Sequence, residues 1–200
     1  ITFNLNDLNI FNYNNHLLLS HVKNLIDVAF KNNIKILVFG CPKNRKIING
    51  NSDNKSIAIH FFKELGKYCD NKNIVICIEP NSKKYGCNFI NTIDEASNLV
   101  SEINSNNIKL MLDLGNIIME NDDITKLKLL KDKIHHIHIS QEFLNNFKIP
   151  HIINNIFSNY IKLFYDKIIS LEMLIKDDNE LDTLLLSLLN FINIYGKINK

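Results

Sequence analysis

The chain has no apolar run of about 18 residues or more, so none of its segments reads as a membrane-spanning helix. It also opens without the charged and apolar pattern of a secretory leader, and the default expectation is a cytoplasmic protein. Charge of neither sign is in excess: 23 Lys and Arg stand against 21 Asp and Glu, for a formal net charge of +2. With no basic footprint, neither a nucleic acid nor an anionic membrane is expected as partner, and a small-molecule ligand fits better. The four cysteines, Cys41, Cys69, Cys77 and Cys87, form no CxxC pair and lack zinc-finger spacing. Reduced thiols are expected, with Cys77 acting as a small hydrophobe inside a strand.

What is present is a chain of 200 residues, 46% hydrophobic and 22% charged, enough for one well-buried domain spanning 1–200. Asn, Lys and Ile are used heavily in loops and on solvent faces, and no function follows from that. Apolar runs bounded by turn residues alternate with segments of helical period, the pattern of βα units around a parallel sheet. The strands are expected near 1–4, 34–40, 73–80, 108–115, 134–140 and 167–173. Helices are expected near 17–32, 55–69, 92–105, 123–132, 151–165 and 178–195. Thr92 followed by Glu95 forms a capping box that places the third helix start. The strands are apolar almost throughout, as they are when helices cover one face and side chains fill the other. A closed barrel of this type takes eight strands. Because the chain starts inside a strand and without Met, the expected fold is a (β/α)8 TIM barrel lacking its first two βα units. The alternative is an open doubly wound sheet, in which ligands gather at a single switch point.

Four successive strand-like runs end in metal-competent side chains: Glu79 in IVICIEP, Asp113 in IKLMLDLG, His138 in HHIHIS and Glu172 in KIISLEM. The intervals from 79 to 113, 113 to 138 and 138 to 172 are each about one βα unit long, so all four side chains can reach one rim of one sheet. Taken singly, Glu79 and Asp113 could cap the loops that follow, and His138 could be a satisfied core histidine. Four consecutive strands ending this way favour a shared cation, since clustered buried carboxylates are costly without one. Three oxygen donors and one imidazole suit Mn²⁺, Mg²⁺ or Co²⁺, with Zn²⁺ also admissible. His136 shares a face with His138 one layer deeper, either orienting it or filling the core.

Further candidates lie in the loops at the same rim. Lys43 and Arg45 in GCPKNR are cations suited to a phosphate or carboxylate, with Gly40 and Pro42 fixing the turn. Asn81 and Tyr85 in EPNSKKYG, Asn116 after Asp113, and Gln141 after His138 can meet ligand hydroxyls.

The segments VFGCPKNR, IEPNSKKYGCNF, LDLGN, HHIHIS and SLEM together resemble the xylose isomerase-like TIM-barrel superfamily, in particular its sugar phosphate isomerase/epimerase members. The resemblance runs over nearly the whole chain. It implies a barrel whose divalent metal is held by Glu79, Asp113, His138 and Glu172, with Glu79 and Glu172 also moving protons on a sugar or sugar phosphate. A homo-oligomer is a family expectation. Where family epimerases commonly carry a His three residues after the Asp ligand, this chain has Asn116, and Tyr85 replaces a substrate-binding Glu. The implied reaction is coherent chemically: a carbon acid beside a carbonyl is deprotonated to a metal-stabilised enediolate by one carboxylate and reprotonated by another. Two other readings are an endonuclease-like metal-dependent phosphodiesterase acting at abasic DNA and a non-catalytic sugar-binding barrel. The first calls for more ligands and a basic groove, neither of which is visible.

Overall fold

The computed structural model describes residues 8–12, 15–48, 53–175 and 179–196. Alternating helices and strands run in order: α1 (Asn15–Lys31), β1 (Ile36–Phe39), α2 (Asn54–Cys69), β2 (Val75–Ile78), α3 (Ile93–Ile103), β3 (Ile108–Asp113), α4 (Leu114–Glu120), β4 (Ile134–Ile139), α5 (Ile153–Ile161), β5 (Ile169–Leu171) and α6 (Glu180–Tyr195). β1 with β2, β2 with β3, and β4 with β5 pair in parallel. The expected strand at 1–4 lies outside the described residues. The chain divides into two compact units, one through Met111 and one from Leu112.

In the first unit, α1 buries Leu18, Val22, Ile26 and Ala29, one side chain per turn, which is why this segment is a helix laid on a sheet. Register runs Ile36 to Val75 and Phe39 to Ile78 between β1 and β2, and Ile76 to Ile108 between β2 and β3. Phe39 meets Phe61 and Phe62 edge to face, at centroid distances of 6.2 and 5.1 Å, fastening α2 over β1. α3 starts where the capping box placed it: Thr92 accepts the Glu95 N–H, while the Glu95 carboxylate reaches back to the Asn91 N–H. The chain has only six glycines, and asparagine takes several of the left-handed positions glycine would otherwise fill. Asn33, Asn73, Asn104 and Asn121 all have φ between 51 and 57°, a conformation asparagine tolerates better than most residues.

The second unit departs from expectation at two elements. The strand read as 108–115 stops at Asp113, whose carboxylate caps α4 directly, so a short helix stands where none was expected. The helix expected at 123–132 is a 3-10 segment, Ile124–Leu130. Of its side chains only Leu127 is buried and Leu129 is 84% exposed, so no apolar stripe supports a regular helix there. β4 and β5 register Ile137 with Ile169 and His138 with Ser170. α6 docks through its polar side: Ser187 Oγ accepts the Phe147 N–H, Thr183 Oγ1 accepts Lys148 Nζ, and Asn190 Nδ2 donates to the Phe147 and Lys148 carbonyls. Its leucines, Leu181, Leu184, Leu185, Leu188 and Leu189 among them, face outward. No disulfide joins the four cysteines, as their spacing suggested. No helix among the described residues is long and apolar enough to cross a membrane.

Candidate metal centre

In the second unit three side chains at strand ends come together. Asp113 ends β3, His138 lies in β4 and Glu172 follows β5, and the N–H of Glu172 still bonds the Ile139 carbonyl at 2.9 Å, extending the ladder by one rung. His138 Nδ1 lies 3.0 Å from Glu172 Oε2. With its proton on Nδ1, the ring donates to the carboxylate and leaves Nε2 as a lone-pair donor. Asp113 is buried. Its two oxygens accept Ser140 Oγ at 2.9 and 2.7 Å, and Oδ1 accepts the Asn116 N–H at 2.6 Å. Burial pushes the Asp113 carboxyl up to about 6, against the bonds from Ser140 and Asn116, which favour the anion; the nearby Glu172 charge adds to the rise and His138 opposes it. Such a carboxylate is partly protonated near neutrality, and a cation beside it would hold it ionised.

Ser140 escaped the sequence reading, although it stands two residues beyond His138. Its hydroxyl also accepts the Gly115 N–H at 3.1 Å, and a Cβ on Gly115 would lie 2.4 Å from that oxygen. Glycine at 115 is thus what lets the start of α4 approach β4. His136 packs edge to face on His138 at 4.9 Å between ring centroids, with Nε2 3.3 Å from Ser170 Oγ. Burial, then the neighbouring His138, lowers the His136 ring to about 4, so it is neutral at physiological pH.

In the first unit, Glu79 is buried directly after β2, and its N–H donates to the Phe39 carbonyl at 3.2 Å. Gly40 makes room for it: a Cβ at 40 would lie 1.6 Å from Glu79 Oε2. The role expected for Gly40 in the loop turn is therefore secondary to this close approach. Arg45 is placed otherwise than a solvent-facing anion grip. The 3-10 turn Lys43–Arg45 leaves Lys43 exposed and turns Arg45 inward to zero exposure, where it donates to Asn81 Oδ1 at 2.5 Å and to the Phe39 carbonyl at 3.5 Å. Tyr85 is 38% exposed, Asn116 is buried beside Asp113, and Gln141 Nε2 donates to the Asn146 carbonyl at 2.5 Å.

In the second unit, Asp113, His138 and Glu172 each offer a ligand atom and together could hold a metal ion; Glu79 is the buried carboxylate of the first unit. Residues 16–178 match the family described as xylose isomerase-like TIM barrel. The chain belongs to that family. Its membership agrees with the α/β architecture built above. A D-psicose 3-epimerase from Enterocloster bolteae is 26% identical over 102 residues, a stretch covering 50% of this chain and 34% of that protein. The match thus spans about a third of that relative's length. A solved L-ribulose 3-epimerase superposes with a TM-score of 0.80 at 14% identity, over 96% of this chain and 73% of that one. The IolI protein, solved with a bound zinc atom, superposes with a TM-score of 0.73 at 15% identity over 98% of this chain and 74% of that one. At these identities the two structures show that the fold is shared.

Proposed function

We propose that the protein is a divalent-metal-dependent isomerase or epimerase of a sugar or sugar phosphate, with Glu79, Asp113, His138 and Glu172 converging on one cation. The observation that carries this reading is the Asp113–His138–Glu172 cluster: a carboxyl pushed up by burial, beside an imidazole bonded to a second carboxylate. Glu79 is the matching buried carboxylate at the end of β2. Mn²⁺, Mg²⁺, Co²⁺ and Zn²⁺ all accept this donor set. The cation, when bound, supplies a Lewis acid that draws charge from a carbonyl oxygen and its neighbouring hydroxyl.

The chain's own groups do the rest. Glu172 is 42% exposed at its side chain and takes the proton from the carbinol carbon. Glu79 returns a proton from the other face, giving epimerisation, or to the neighbouring carbon, giving isomerisation. Ser140 and the Asn116 N–H keep Asp113 aimed while His138 holds Glu172. Lys43 is an exposed cation of the β1 loop that can meet a phosphate, and Tyr85, Asn116 and Gln141 are proposed to meet sugar hydroxyls, while the Asn81 side-chain oxygen is taken by Arg45.

The test is metal analysis of the purified protein followed by solvent-deuterium exchange into keto-sugars and their phosphates. Glu172→Gln keeps an oxygen near the metal and removes the base, so exchange should fall by about 10²–10⁴-fold at saturating metal. Asp113→Ala should lose metal first. Near-normal exchange in Glu172→Gln at saturating metal would rule out the two-carboxylate mechanism, and absence of metal from the wild type would favour the non-catalytic reading.

A further inference from the structure

Arg45 occupies a costly place for a cation. Its guanidinium has no exposure, and Nε has no partner among the described residues. The loop that carries it is fixed: Asn9 Nδ2 donates to the Lys43 and Lys46 carbonyls at 2.9 Å each, and the Ile10 N–H donates to the Asn44 carbonyl at 2.8 Å. From this fixed loop one guanidinium spans two acceptors. Nη2 bonds Asn81 Oδ1, and Nη1 reaches the Phe39 carbonyl, the same oxygen that accepts the Glu79 N–H. Asn81 is held on its other sides too: its N–H bonds the Ile90 carbonyl at 3.1 Å, and its carbonyl accepts Asn91 Nδ2 at 2.8 Å. Glu79 therefore sits between two points, the Phe39 carbonyl at its own N–H and Asn81 two residues on, both tied to Arg45. Behind its carboxylate stands Gly40, with no side chain to yield.

We propose that Arg45 is a positioning residue for Glu79 and that it does not bind substrate. The inference rests on the role assigned to Glu79 above. A planar fork suits this task because it reaches two acceptors in fixed directions, whereas Lys presents a single point charge and Gln cannot span both. A functional carboxylate must be held to within about half an ångström, and misplacement by about 1 Å can cost 10²-fold in rate.

The experiment uses the whole protein and compares Arg45→Gln, Arg45→Lys, Asn81→Leu and Asn81→Asp. Asn81→Asp keeps an oxygen for the guanidinium. Three readouts are taken: kcat and KM for a neutral keto-sugar and its phosphate, Mn²⁺ affinity by titration, and hydrogen exchange of the 75–81 amides. Arg45→Gln and Asn81→Leu should each lower kcat by about 10- to 100-fold with KM for both sugars nearly unchanged. They should also weaken Mn²⁺ binding and speed exchange at Glu79, and Asn81→Asp should restore all three. The double variant should be no worse than either single one. A rise in KM for the phosphorylated sugar alone would overturn the proposal in favour of an anion grip. Unchanged kcat, Mn²⁺ affinity and Glu79 exchange would overturn it in favour of a purely structural arginine. If Arg45→Gln does not fold, Arg45→Lys and the Asn81 pair give the same readouts. Should the wild type neither bind Mn²⁺ nor turn over a sugar, the proposed function falls, and the Glu79 amide exchange still decides whether Arg45 positions this carboxylate.

Discussion

Glycine 40 is the residue where the least chemical change should have the largest effect. A methyl group there would lie 1.6 Å from a Glu79 oxygen, so the carboxylate must swing away. Gly40→Ala is expected to weaken metal binding and exchange activity much more than it lowers the melting temperature, because the displaced group is at a strand end. Parallel calorimetry and metal titration check this, and a variant that loses stability while keeping metal affinity would contradict it.

The pH response belongs to the same scale, because Asp113 and His136 are displaced in opposite directions. Asp113, raised from 3.8 to about 6, favours its protonated form in the fold, so its contribution is present below 3.8 and is lost as pH rises through 6. His136, lowered from 6.5 to about 4, favours its neutral form, so its contribution is present above 6.5 and is lost as pH falls towards 4. Over one window the two offset each other. In chelator, the wild type should melt at nearly constant temperature from pH 4 to 6.5, while Asp113→Asn should gain stability as pH rises. Parallel profiles for the two proteins would mean that Asp113 titrates as an ordinary carboxyl. Of the proposed donors, Glu79, Asp113, His138 and Glu172 stood out in the sequence because each ends an apolar run in a type that apolar runs seldom hold. Ser140 and the inward turn of Arg45 did not. A serine beside a histidine carries no periodic signal, and a three-residue turn sends neighbouring side chains in different directions.

At the scale of elements, long segments were legible and short ones were not. The apolar stripe of α1 and the capping box of α3 specify their helices locally, and both stand within two residues of where periodicity placed them. α4 has seven residues and begins on a side-chain cap, so its apolar residues read as a continuation of β3. The run at 124–130 is rich in leucine and lysine, yet without a second buried position it closes as 3-10. α6 was located by its leucines although its docking relies on Thr183, Ser187 and Asn190. That inversion gives a test. Ser187→Ala strands the buried Phe147 N–H and should cost about 1–3 kcal/mol in denaturant melts. Leu185→Lys, at a position 50% exposed, should cost little and should reduce binding of an apolar dye. A large loss of stability in Leu185→Lys would show that the leucine face is covered in solution.

For the molecule as a whole, the βα alternation was enough to read the fold class, since parallel strands with apolar residues on both faces leave few other arrangements. Register and the exact strand ends needed coordinates, because a strand of three or four residues has no periodicity of its own. One feature of the second unit reaches beyond the site. The carboxylate of Asp113 caps α4 and is also, with Glu79, one of the two buried proposed metal donors. A ligand that binds only the native chain at such a group acts as a thermodynamic counterweight to unfolding, worth about 2.7 kcal/mol when free ligand stands at a hundred times its dissociation constant. The melting temperature should therefore track the logarithm of free metal concentration, and a chelator should lower it without touching a covalent bond. A melting curve indifferent to chelator would separate the helix cap from the metal. If the expected shift is found, this protein in a cell is only as stable as the local supply of divalent cation allows, and scarcity of the ion would lower its abundance as well as its turnover.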